Sequence, residues 1–144
     1  MDINQQVYFL AQIVVAMLLG AVLGWQREQW GKSAGPRTYA MVAAGAALFT
    51  IMSVHGFSAT MSPIVAAQVV TGIGFLGAGI IFHREDRVEG LTTAAGFWAV
   101  AAIGMVVALE YYILAVGATL LMLILFMVND RRFRRDSNGE HHEV

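Results

Sequence analysis

Residues 64–82 read IVAAQVVTGIGFLGAGIIF, nineteen positions with no charged side chain and one amide, Gln68. At about 1.5 Å per residue, a helix of this length crosses a hydrocarbon core about 30 Å thick. The stretch belongs to a longer neutral interval. No Asp, Glu, Lys or Arg occurs between Thr38 and His83, nor between Leu91 and Leu109. Over all 144 residues, 58% are hydrophobic and 13% charged, whereas a water-soluble domain needs about a quarter charged. These values exclude an ordinary soluble enzyme and a disordered chain. The chain has no cysteine, which removes disulfides, thiolate metal sites and cysteine nucleophiles.

Working outward from 64–82, four more stretches have the length and character of spans. Together the five run over about 7–25, 38–55, 64–82, 91–109 and 112–128. Helices satisfy their own backbone in lipid, and the alternation of barrel strands is missing. The expected fold is all-α, a bundle of five transmembrane helices over residues 1–130. A short basic and polar tail, 131–144, follows it. The first span lacks the basic lead and the small-residue cleavage site of a signal peptide, so it is expected to be retained.

Lys and Arg alternate with the passages. The first loop has Arg27, Lys32 and Arg37, the third has Arg84 and Arg87, and the tail has Arg131, Arg132, Arg134 and Arg135. The N-terminal segment before the first span, the second loop and the fourth loop have none. Basic loops stay on the cytoplasmic side, which predicts the N-terminus outside and the C-terminus inside. The aromatic residues fit that frame, with Trp25, Trp30 and Tyr39 at the inner surface and Phe57, Tyr111 and Tyr112 at the outer.

Within lipid, helices associate through small residues and occasional polar contacts. Ala16, Gly20 and Gly24 form one such row, Ala40 with Ala44 and Ala43 with Ala47 two more, and Ala95 with Ala99 and Gly104 with Ala108 others. In the third span, Gln68, Gly72 and Gly79 share a face, while Gly74 and Gly77 lie roughly opposite. Small residues on two sides predict a helix packed from both directions near the bundle centre. The alternative is a locally unwound helix whose backbone, with Thr71, Gln68 and Trp98 nearby in the spans, lines a binding site or pathway.

The match of Gly72 to Gly77 with GxGxxG falls in mid-membrane, without the strand a nucleotide site requires. Gly31 to Gly35 matches GxSxG without a sheet to carry a nucleophile elbow. His55, His83, His141 and His142 have no paired ligand spacing, and zinc needs three or four donors. The spans offer only neutral polar groups, Gln12, Thr50, Ser53, Gln68, Thr71, Thr92, Thr93, Trp98 and Thr119, which weakens pump and antiporter readings. The predicted inner face is richer. There Arg27, Glu28, Arg37, Thr38, Thr92 and Thr93 read either as helix caps and topological charges or as one site, with two Arg groups and a helix N-terminus suited to an anion.

Four ordered motifs resemble a known family. Gly24-Trp25-Gln26-Arg27-Glu28 and Ala34-Gly35-Pro36-Arg37-Thr38 are similar to its GxxRE and AGLRT signatures. Residues 66–79, AAQVVTGIGFLGAG, resemble its AAQIVSGIGFLGAG core. Gly90-Leu91-Thr92-Thr93-Ala94-Ala95, with Trp98 and Ala101-Ala102-Ile103-Gly104, resembles its GLTTAA…W…AAIG segment. The family is MgtC/SapB, and the resemblance covers about residues 7–128.

It implies a multi-pass bacterial inner-membrane protein tied to adaptation to low magnesium and survival inside host cells. Family members are often labelled magnesium transporters, with regulation of other membrane machinery as the competing view. Two departures are visible. The family's Asp and Arg before AAQ are replaced by Ser62-Pro63-Ile64-Val65. The soluble C-terminal domain of the MgtC branch is expected to be missing. The expected function is therefore non-enzymatic, modulating or binding other membrane proteins, with the bilayer and a homo-oligomer as partners and no nucleic acid, cofactor or metal. The rival is an oligomeric transporter or channel for magnesium, another ion or a small solute.

Overall fold

A computed structural model describes residues 2–56, 62–84 and 87–137; the side chains of 62, 63, 84, 87 and 129–137 lie outside that description. The element order is α1 Ile3–Gln29, α2 Pro36–His55, α3 Ser62–Ala78, β1 Phe82–Arg84, β2 Arg87–Glu89, α4 Leu91–Ala108 and α5 Tyr112–Ser137. The bundle is helical as expected. A two-stranded antiparallel hairpin, pairing Phe82 with Glu89 and His83 with Val88, stands in the link between α3 and α4. Three helices, α1, α2 and α4, are long and apolar enough to cross a membrane. The apolar parts of α3 (Ile64–Ala78) and α5 (Tyr112–Val128) are shorter.

Boundaries depart from the apolar limits because hydrogen bonding and caps, not hydropathy, stop a helix. Helix α1 starts at Ile3, where the Asp2 N–H donates to Gln5 Oε1 (3.4 Å), and it runs on through Gln29. It ends where Gly31 turns left-handed (φ 66°) and Lys32 N–H returns to the Arg27 carbonyl (3.1 Å), a common helix stop. Helix α2 starts at Pro36 rather than Thr38, since proline suits the first helical position. Helix α3 stops at Ala78, short of Phe82. Gly77 and Gly79 weaken the helix there, and the β-branched pair Ile80-Ile81 leads into β1. Helix α5 continues well past Val128 through its polar end.

The core is made by α1, α2 and α4, and it is built from backbone proximity. A Cβ on Gly20 would lie 2.6 Å from the Tyr39 carbonyl oxygen and 3.0 Å from Ala43 Cβ. A Cβ on Gly104 would collide with the Ala43 carbonyl. Ala16, Ala43 and Ala47 are wholly buried between these helices, so the small-residue rows of α1 and α2 are contact lines. Thr50 and Thr119, both buried, return their hydroxyls to the carbonyls four residues back (2.8 Å each), the usual disposal of a hydroxyl in an apolar bundle.

Two expectations fail here. Helix α3 is not central: it lies on the flank against α4 and α2. A Cβ on Gly77 would lie 3.5 Å from Ala94 Cβ, whereas nothing lies within 4 Å of a Cβ on Gly72 or Gly74, and both are exposed. Small residues mark where a backbone can be approached, not that the same chain approaches it. Nor is Tyr39 a surface aromatic. Helix α2 turns it wholly into the core, edge-on to Phe97 with centroids 5.2 Å apart. Phe57 lies outside the described residues.

Candidate functional site: a buried arginine and its exposed rim

At one end of the bundle the last turn of α1, the first turns of α2 and α4 and the inward side of α5 converge. Arg27 is 1% exposed there. Its guanidinium carbon stands 4.5 Å from the centroid of the Phe126 ring, and its side chain approaches Tyr39. A cation over an aromatic face gains about 2 kcal/mol when water is kept away. Gly96 makes the arrangement possible, because a Cβ there would run into the Tyr39 hydroxyl and lie 3.1 Å from Phe126 Cζ. Thr93, buried, shares that face of α4 one turn earlier. Beside Arg27, the Gln26 amide is buried at both its nitrogen and oxygen with no hydrogen-bond partner among the described residues.

The other predicted site residues stay outside. Glu28 is exposed, and its carboxylate lies over Gly35, 3.5–3.6 Å from where a Cβ would stand. Arg37 and Thr38 are exposed on the first turn of α2, and Thr92 is partly covered. The predicted cluster is thus two things: a sealed pair, Arg27 and Thr93, and a polar rim of Glu28, Arg37, Thr38 and Thr92. The expectation that threonine caps α4 is overturned. Gly90 is the N-cap residue, left-handed at φ 87°, with Ala94 N–H donating to its carbonyl (2.8 Å). A side chain on Gly90 would meet the Ile80 carbonyl, so that residue closes the hairpin as well as starting the helix.

In the third helix, Gln68 and Gly72 line a groove between α2 and α3. Its volume is about 630 Å³, and its walls include Met41, Phe49, Val69 and Leu76. Thr71, Gly74, Gly79 and Trp98 face outward. The helix is unbroken from Ser62 to Ala78, so the locally unwound alternative does not describe it.

The sequence reading missed a second polar cluster at the opposite end. Gln12 is 2% exposed, with Nε2 donating to the Tyr112 hydroxyl (3.5 Å) and Oε1 buried without a partner among the described residues. Tyr112 and Tyr8 join their hydroxyls at 3.1 Å, and Phe9 stacks on His55 at 4.8 Å. Among the described residues no three His, Cys, Asp or Glu gather as a metal site.

Apolar helices of spanning length, joined through alanine and glycine and coated with exposed aliphatic side chains, define a helical membrane protein. Residues 13–134 match the model of the MgtC family, and the chain belongs to that family. It is 38% identical over 142 residues to the putative magnesium transporter YhiD of Escherichia coli, covering 92% of this chain and 66% of that protein. It is 43% identical over 119 residues to Protein MgtC of Salmonella typhimurium, covering 80% and 49%. A Haemophilus influenzae protein of uncharacterized function is 40% identical over 124 residues, covering 79% and 52%. The chain therefore spans about half to two-thirds of the length of these relatives. No solved structure matches it.

Proposed function

We propose that this chain is a non-enzymatic inner-membrane protein of bacteria that acts by binding and modulating other membrane proteins during adaptation to low magnesium or related stress. In this reading five helices cross the membrane, with the N-terminus outside and the Arg27 end at the cytoplasmic surface, as the alternation of basic loops requires. One observation carries the reading: a sealed interior lies under an exposed polar rim. Arg27 is locked among aromatic side chains and the α1–α2–α4 contacts are closed at Gly20 and Gly104. Glu28, Arg37 and Thr38 remain open to a partner.

The test is crosslinking in native membranes followed by capture of the tagged chain. Arg37→Ala and Glu28→Ala should lose captured partners while expression stays normal. If both capture the same proteins as wild type, the rim has no binding role.

A second reading is an oligomeric transporter or channel, favoured by the name of the Escherichia coli relative. It would use the third helix, where Gln68, Thr71, Gly72 and Gly74 are exposed.

A further inference from the structure

Two helices present long exposed faces, and they differ in kind. On α5 the exposed residues are bulky aliphatics: Ile113 is 93% exposed, Leu121 70% and Leu125 65%. That surface suits lipid chains. On α3 the exposed residues mix small and polar ones, Ala67, Gln68, Thr71, Gly72, Gly74 and Ala78, with the larger Ile64, Val70, Leu76 and Phe75, the last 81% exposed. An amide in mid-helix facing hydrocarbon lacks hydrogen-bond partners, and a lipid chain supplies none. A second copy of the same helix supplies what is missing, because an amide both donates and accepts and is its own complement.

We infer that α3 is the interface between two copies of this chain. They are related by a twofold axis along the membrane normal, with the Gln68 amides paired and each Phe75 seated in the partner's α2–α3 groove. The helical angles support this seating. At about 100° per residue, Phe75 lies about 20° to one side of Gln68. Gly72, Leu76 and Val69, which line the groove, lie about 40°, 80° and 100° to the other. A twofold axis turns the partner helix by half a turn, so its Phe75 arrives on the groove side. A rotation about the membrane normal also preserves depth, and Phe75 lies between Gly72 and Leu76 in the helix.

The groove fits such a guest. Its lining is apolar apart from Gln68 and Thr38, and nothing lies within 4 Å of a Cβ on Gly45 or Gly72. Reciprocal contact of one patch with itself is the ordinary form of a closed dimer. This specifies the self-association expected of the chain, and partner capture through the rim is scored separately, so the two can fail independently.

The chain has no cysteine, so single-cysteine variants report one position each. In native membranes under mild oxidation, Gly72→Cys should give a disulfide dimer, and Leu121→Cys on α5 should not. The open space at Gly72 means that this variant keeps its fold. Co-expression of Phe75→Cys with a separately tagged Met41→Cys, on the groove wall, should give the mixed dimer. Gln68→Leu should weaken self-association in detergent about three- to tenfold. No dimer at Gly72, equal dimer at Leu121, a disulfide to a different protein, or a Gly72 dimer without the mixed one would each overturn the inference.

Discussion

The guanidinium carbon of Arg27 lies 4.5 Å from the centre of the Phe126 ring, with Arg27 on the last turn of α1 and Phe126 near the end of the apolar part of α5. This contact joins the first and last helices at the end where α2 and α4 also meet. A charge so deeply covered needs a compensating partner, since an isolated buried cation is costly. The aromatic face contributes, and so does the surrounding closeness of Tyr39.

Replacing Phe126 with Leu keeps the volume roughly and removes the aromatic face. The variant should lose about 1–3 kcal/mol against denaturant in detergent. Arg27→Lys should also destabilise, because a compact ammonium cannot lie flat on the ring as a guanidinium does. Equal unfolding midpoints for wild type and both variants would show the contact to be energetically idle.

Gly96→Ala should be strongly destabilising, as the added methyl meets the Tyr39 hydroxyl and Phe126. Removing that hydroxyl with Tyr39→Phe should recover part of the loss, so the double variant unfolds later than Gly96→Ala alone. A double-variant cycle measures this coupling, expected on the order of 1 kcal/mol.

A buried glycine and an exposed one should respond in opposite ways. Gly104→Ala runs into the Ala43 carbonyl and should cost about 1–3 kcal/mol. Gly74→Ala meets nothing within 4 Å and should be neutral or stabilising by up to about 1 kcal/mol, through helix propensity. Thermal midpoints of the two purified variants decide it.

The five helices were legible because a missing charge over some twenty residues is a strong signal, and the contact rows Ala16-Gly20-Gly24 and Ala43-Ala47 were legible from spacing alone. The position of α3 was not. Gly72 and Gly77 look alike in sequence, yet one opens to the surface and the other packs on Ala94. At the site, the GxxRE and AGPRT motifs flank a short loop, which put Arg27 and Arg37 at one end of the bundle. Which of them turns inward depends on helix rotation, and a charged residue near a span end reads as topological until packing is known. Phe126 was invisible as a partner, because in an apolar run it is one hydrophobic residue among many.

Gln12 offers a test of the opposite end. Its Oε1 is buried without a partner among the described residues, and its one hydrogen bond, to Tyr112, is long at 3.5 Å. Gln12→Met removes a buried, half-satisfied amide at similar volume, so stability should be unchanged or higher. A loss above about 1 kcal/mol in denaturant titrations would mean that the amide makes a contact the bundle depends on.

Partner binding rather than transport is the central claim, and ion flux tests it most directly. The purified chain, reconstituted into vesicles and assayed with magnesium and other ions, should give no flux above protein-free vesicles. Flux above that background, abolished by Gln68→Ala or Gly77→Leu in protein that remains folded, would contradict the account.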